Sequence, residues 1–182
     1  MSELVPNRGH YKELLCYRKA EIIYDITYYF CHKYLQVGDR TIDQMIQAAR
    51  SGKQNIAEGS AASATSAESE IKLTNVAKAS LIELLIDYED YLRVRKLRQW
   101  ELDSVELQRM RQLGQEHDDS QFFIKLIESR NDEVVANIAI VLIKQTDYLL
   151  HKLLESQEKQ FLSNGGFKEK MFAARLKNRN QK

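Results

Sequence analysis

Histidines, cysteines and paired acids are the side chains that most often do chemistry on a helical scaffold, and their spacing in this chain builds no reactive set. Di-iron sites in helical bundles need Glu-x-x-His pairs on facing helices. Here His32, His117 and His151 instead follow Tyr29, Gly114 and Tyr148 by three residues, and His10 precedes the periodic segments. Cys16 and Cys31, the only cysteines, are too few for a disulfide framework, wrongly spaced for zinc and without a base beside them in sequence. No serine sits in a nucleophile-elbow context, and Gly165-Gly166 has neither the phosphate-loop nor the dinucleotide-binding spacing. The expectation is a protein that is not an enzyme, with no catalytic residues, no metal and no cofactor.

Binding chemistry is more legible. The segment Arg50-Ser51-Gly52-Lys53-Gln54-Asn55-Ile56-Ala57-Glu58-Gly59 is odd for a helix, because Gly52 costs about 1 kcal/mol relative to alanine and Asn55 is a poor helix former. One reading is a packing device: Ser51 and Gly52 let a neighbouring backbone approach, while Asn55 and Glu58 form a polar clasp. The other gives Arg50 and Lys53 to an anionic ligand. Arg93, Arg95, Lys96, Arg98, Arg109 and Arg111 surround Trp100, a pattern that fits RNA phosphates with a stacking indole, or a solvated helix end offset by Glu101, Asp103 and Glu106. The aromatic run Tyr24, Tyr28, Tyr29, Phe30 and Tyr34 fits base stacking, or a core or subunit-facing stripe at helical spacing.

The elements that must position these residues are helical. Only Pro6 among 182 residues is a proline and only seven are glycines, so little interrupts long helices. Apolar residues recur at three- and four-residue steps over about residues 12–37, 40–58, 66–98 and 132–163. Thr41 with Gln44, and Thr65 with Glu68, have capping-box spacing, Gly59 is placed to stop the second helix, and Asn131 caps the last. Shorter helical pieces occupy about 101–129. The fold expected is all-α: an up-and-down antiparallel four-helix bundle over residues 1–163, with a short helical insertion between helices 3 and 4 and a basic C-terminal tail over 164–182.

Charge separates the tail from the bundle. The chain carries a net charge of +1, yet residues 167–182 hold Lys168, Lys170, Arg175, Lys177, Arg179 and Lys182 against Glu169 alone. The bundle is therefore mildly acidic and the tail is the basic footprint. Phe167, Met171 and Phe172 at helical spacing form one apolar anchor within it. The N-terminus, with Glu3, Pro6 and Arg8, has no apolar signal region, and the apolar stretch that stops at Lys144 falls far short of the ~20 residues of a span. A soluble, cytoplasmic chain with no membrane partner is expected.

Asn55-Ile56-Ala57-Glu58-Gly59, preceded by Ala48-Ala49-Arg50-Ser51 and followed by Ala77-Lys78-Ala79-Ser80-Leu81-Ile82-Glu83-Leu84, resembles the bacterial four-helix-bundle family of 23S rRNA intervening-sequence proteins. The likeness covers roughly residues 11–98 and, by pattern alone, the last helix. Where that family carries a proline, this chain has Gly52-Lys53-Gln54. The segment Gly165-Gly166-Phe167-Lys168-Glu169 with Arg175 is similar to a suffix that follows such bundles in some bacteria. The resemblance implies a small bundle, a homo-oligomer with a pentameric ring favoured, related to the accessory protein of diversity-generating retroelements that binds nucleic acid and a reverse transcriptase. It gives Ser51, Gly52, Asn55, Glu58, Gly59, Ser80 and Glu83 as the structural motif. The expected partners are RNA or DNA, met through Arg50, Lys53, Arg93, Arg95, Lys96, Arg98 and the tail cations, with a protein partner as the alternative.

Overall fold

A computed structural model describes residues 10–164 together with Met171, Phe172, Arg175, Leu176 and Arg179. It is all-helical: after a 3-10 turn at Tyr11–Glu13 come α1 (Leu15–Tyr34), α2 (Arg40–Ala62), α3 (Ala67–Val94), α4 (Val105–Glu116), α5 (Ser120–Ile127) and α6 (Asp132–Asn164). The long helices pack in a closed cycle, α1 on α2, α2 on α3, α3 on α6 and α6 on α1. The short α4 lies against α6 and the short α5 against α1. Among the described residues no helix is long and apolar enough to cross a membrane.

The core follows from the 3.6-residue period. On α1, Ile22, Ile23, Ile26 and Phe30 fall on one face and are at most 1% exposed, meeting Leu84 and Tyr88 of α3 and the run Val135 to Ile143 of α6. Burying one such side chain contributes about 1.5–3 kcal/mol. Phe30 packs edge-on against Tyr88 and Tyr91 at 5.0 and 4.8 Å between ring centroids. The fully buried Tyr88 hydroxyl donates to Thr27 Oγ1 at 3.1 Å, and Thr27 donates in turn to the Ile23 carbonyl at 2.7 Å, so no polar group is stranded there.

Several helix ends differ from the sequence expectation, each for a local reason. Helix α1 starts at Leu15 because Leu14 is extended, and it stops at Tyr34 ahead of a turn in which Gly38 adopts φ +92°. Helix α2 is capped by Asp39, whose carboxylate accepts from the Thr41 N–H at 2.9 Å, not by Thr41 itself. Gly59 does not end it: the helix runs on to Ala62, and a Cβ at Gly59 would sit 3.4 Å from both the Glu70 carbonyl and Leu73 Cβ. Glycine there serves the close approach of α2 and α3. Ser66, not Thr65, caps α3, accepting from the Ser69 N–H at 3.1 Å.

The excursion is pinned to the bundle by polar ties. The buried Lys19 ammonium of α1 donates to the His117 carbonyl, Arg18 pairs with Asp118, and Ser120 donates to Asp25. Burial outweighs the neighbouring Asp118 and holds the Lys19 ammonium below its ordinary pKa. His117 stacks on Phe122 at 3.7 Å between centroids. These ties fix the α4–α5 connection against the outer side of α1.

Candidate nucleic-acid interface

Helix α1 turns one face inward and a second, aromatic one outward. Tyr24, Tyr28 and His32, spaced by four, form a line of rings tilted by 36° and 30° from one to the next, with centroids 6.4 and 4.1 Å apart. Tyr28 is 50% exposed, and the His32 ring nitrogen bonds the Tyr28 carbonyl at 2.7 Å, which fixes the imidazole over the phenol. Cations flank this line on both sides. From α2, the Lys53 ammonium sits 4.4 Å from the Tyr24 ring centroid, and Arg50, one turn earlier on the same helix, is exposed. On the other side Lys33 donates to the Tyr29 hydroxyl at 2.6 Å and to the Glu128 carbonyl at 3.0 Å. The Tyr29 hydroxyl, and then that of Tyr34, holds its ammonium above the ordinary lysine range. A shallow hollow of about 610 Å3 lies along this face between α1 and Ile124 of α5. Flat π-faces beside ammonium and guanidinium groups can stack bases and meet phosphates.

The motif on α2 and α3 is a packing joint. Leu81 covers Gly52 so closely that a Cβ there would meet its Cδ2 at 2.7 Å. Ser80 donates to Ser51 Oγ at 3.0 Å across the two helices, and Asn55 bonds the Ser51 carbonyl and hydroxyl at 2.9 and 3.1 Å within its own helix. Glu58 is exposed and makes no recorded hydrogen bond among the described residues, so the clasp is Ser51, Ser80 and Asn55 without it. Glu83 is exposed beside a hollow that Asp43 and Asp87 also line, and burial followed by Asp90 and Glu83 raises the Asp87 carboxyl. Helix α2 thus sets Lys53 against α1, and its Asp43 lines a hollow shared with the α3 acids Glu83 and Asp87.

In the second basic cluster, exposed throughout, two of the four cations face acids. Arg93 pairs with Asp90 at 2.7 Å, the Arg95 guanidinium lies 3.9 Å over the Tyr91 ring, and Arg98 pairs with Glu106 at 3.3 Å. Lys96 takes φ +57° at the end of α3, its N–H bonding the Arg93 carbonyl at 3.2 Å while that of Leu97 bonds Leu92 at 2.9 Å, the paired closure of a Schellman cap. Trp100 is half-buried, and its backbone N–H donates to Asn137 Oδ1 at 2.8 Å. Asn137, 2% exposed, also donates to the Arg98 and Glu133 carbonyls at 2.8 Å each. Sequence reading missed Asn137, although one amide inside an otherwise apolar run was its signal. It also missed His32 and Lys33, whose four-residue steps from Tyr28 and Tyr29 were the available clue.

Of the tail cations, Arg175 and Arg179 are helical and exposed, while Lys168, Lys170 and Lys177 lie outside the described residues. Cys16 and Cys31 are buried, and burial pushes their thiols up to about 11 and about 12, so neither is a thiolate at neutral pH. Among the described residues no group of three or more His, Cys, Asp or Glu side chains is placed to hold a metal ion. A scan of protein-family models, a search of curated proteins and a search of solved structures each returned no significant match.

Proposed function

We propose that this chain is a non-catalytic, homo-oligomeric bundle of the 23S rRNA intervening-sequence kind, with up-and-down antiparallel topology, that binds single-stranded RNA or DNA on the α1–α2 face. The observation that carries the binding is the outward line of Tyr24, Tyr28 and His32 with Lys53 set against Tyr24. The topology is supported by the Tyr34 hydroxyl reaching the Arg130 carbonyl, by Tyr91 reaching Asp132, and by Gln157 reaching Thr74, which bring the end of α6 to the start of α3 and its start to the ends of α1 and α3. Family membership and the oligomer rest on the resemblance of the Ser51 to Gly59 and Ala77 to Leu84 segments. Repeating a weak patch around an oligomer multiplies its affinity, and the tail adds salt-sensitive attraction.

Fluorescence anisotropy of labelled single-stranded RNA and DNA at two salt concentrations tests the reading. Binding that weakens with salt, and that falls when Arg50 and Lys53 are both replaced by alanine, is the expected result. Equal binding by parent and double variant, or no salt-sensitive binding by either, defeats it.

A further inference from the structure

The aromatic face of α1 carries one side chain that phosphate binding alone does not explain. Asp25, one turn before Tyr28 and Tyr29, lines the same hollow of about 610 Å3 as those rings, His32 and Lys33. It is the one acid on that lining, and none of the ion pairs among the described residues includes it. A carboxylate without a cation repels the phosphates that Arg50 and Lys53 attract. It favours a ligand only where that ligand brings hydrogen-bond donors, because an ionised carboxylate accepts and cannot donate.

A second helix holds this acceptor in place. Ser120, at the start of α5, donates to Asp25 Oδ2, and Oδ1 has no hydrogen-bond partner among the described residues. The side chain is half-buried, so the tie fixes its direction. A carboxylate offers about four lone-pair sites, of which Ser120 takes one, so both oxygens can still accept. Lys33 supplies a donor on the same lining. Its ammonium spends N–H groups on the Tyr29 hydroxyl and the Glu128 carbonyl, which leaves one of the three that an ammonium carries. Tyr28, 50% exposed, adds a flat π-face. An acceptor, a donor and a stacking surface thus border one hollow.

Nucleobases differ in what they bring to such a set, and in a single strand their Watson–Crick edges are open to be read. Guanine places two donors, N1–H and N2–H, side by side on that edge, a match for the two oxygens of a carboxylate, while its O6 and N7 are acceptors that lysine can meet. Adenine and cytosine set one amino group beside an acceptor nitrogen, and uracil and thymine set one N–H between two carbonyls, so a carboxylate gains less from each. We propose that Asp25 reads the base and selects guanine, with Lys33 facing guanine O6 or N7 and Tyr28 stacking on the ring. The selection rests on single-strand binding at the α1–α2 face and adds to it a preference among bases, carried by a residue that does not attract phosphate.

Fluorescence anisotropy of the full chain tests this with a short labelled oligouridylate carrying one central guanosine, and with the same strand carrying inosine, adenosine, cytidine or uridine there, each at low and at moderate salt. Inosine keeps N1–H and O6 and lacks only the N2 amino group, so it probes the paired contact without altering the protein. The guanosine strand should bind about tenfold more tightly than the uridine strand, with inosine between them. Asp25→Asn, checked for fold by circular dichroism, should bind all the strands alike, because the amide keeps an acceptor for Ser120 and turns the other position into a donor that opposes those of guanine. Should that variant lose its helicity, the inosine comparison on the parent still decides. Equal, salt-sensitive binding of every strand by the parent overturns the selection of guanine and leaves single-strand binding standing. Inosine bound as tightly as guanosine, a preference for adenosine or cytidine, or a guanosine preference that survives in folded Asp25→Asn also overturns it. Binding of no strand at either salt overturns both.

Discussion

Two clusters of cations and aromatic rings look alike in the sequence and differ in what their charges are doing. At the end of α3, Arg93 and Arg98 face carboxylates, Arg95 covers the ring of the buried Tyr91, and Lys96 makes the turn that closes the helix. On the α1–α2 face Lys53 leans on a half-exposed ring, Arg50 is exposed, and Tyr28 turns half its surface outward. The difference is one of partners, not composition. A guanidinium that faces an acid gives up that pairing when it meets a phosphate, a cost of about 0–1 kcal/mol for exposed pairs such as these, so the bias between the two clusters is modest.

The comparison breaks most visibly at Asn137. That side chain holds three backbone groups of the α3–α4 connection and of α6 in a site 2% exposed. Asn137→Ala strands them, and the expected loss is about 2–4 kcal/mol of unfolding free energy, read by urea denaturation, with RNA binding by the folded variant unchanged. An unaltered denaturation midpoint would show that the Trp100 region is not held as described. The next largest effect belongs to the other cluster. Tyr28→Ala removes a stacking platform and should weaken single-stranded RNA binding by roughly tenfold, about 1.4 kcal/mol, while stability moves by about 0.5 kcal/mol or less because the ring is half exposed. Unchanged affinity in an anisotropy titration would remove the aromatic line from the proposed interface.

Periodicity made the all-helical class legible, since the apolar steps through Ile22, Ile26 and Phe30 describe a buried face wherever that face goes. Ends were less legible because neighbouring residues compete to cap. Asp39 lies two residues before Thr41 and Ser66 one after Thr65, and either member of each pair satisfies the rule until the backbone is placed. Gly59 read as a stop because glycine favours helix ends, yet the approach of Glu70 and Leu73 required a residue without a Cβ inside the helix. Site residues were least legible. Nothing in the order of letters says that Arg98 will find Glu106, or that Lys53 will find Tyr24 on another helix. Composition located the cations, and only the fold distinguished paired charges from presented ones.

Lys96 sharpens the comparison with a smaller effect of opposite sign. A side chain at φ +57° is strained where glycine is not, so Lys96→Gly should stabilise the protein by up to about 1 kcal/mol in thermal or urea unfolding. RNA binding should be unaffected. Weaker binding would return Lys96 to the interface and undo the separation of the two clusters.

The smallest expected effect lies at Asp39, where the start of α2 comes near Arg95. Hydrogen bonding from Thr41 is the largest cause holding this carboxyl below the ordinary aspartate range, with Arg95 lowering it further. The unfolded chain therefore takes up the proton first as pH falls. Asp39 contributes its stability above the unfolded-state value, and loses it between that value and the depressed folded one. Asp39→Asn keeps the cap acceptor but not the charge, so at neutral pH it should leave stability nearly unchanged. Its trace should appear in the acid limb: stability plotted against pH below about 4, the ordinary aspartate value, should fall less steeply in the variant than in the parent. Parallel acid limbs would mean that Arg95 and the cap do not act on Asp39, leaving Arg95 to be explained by Tyr91 alone.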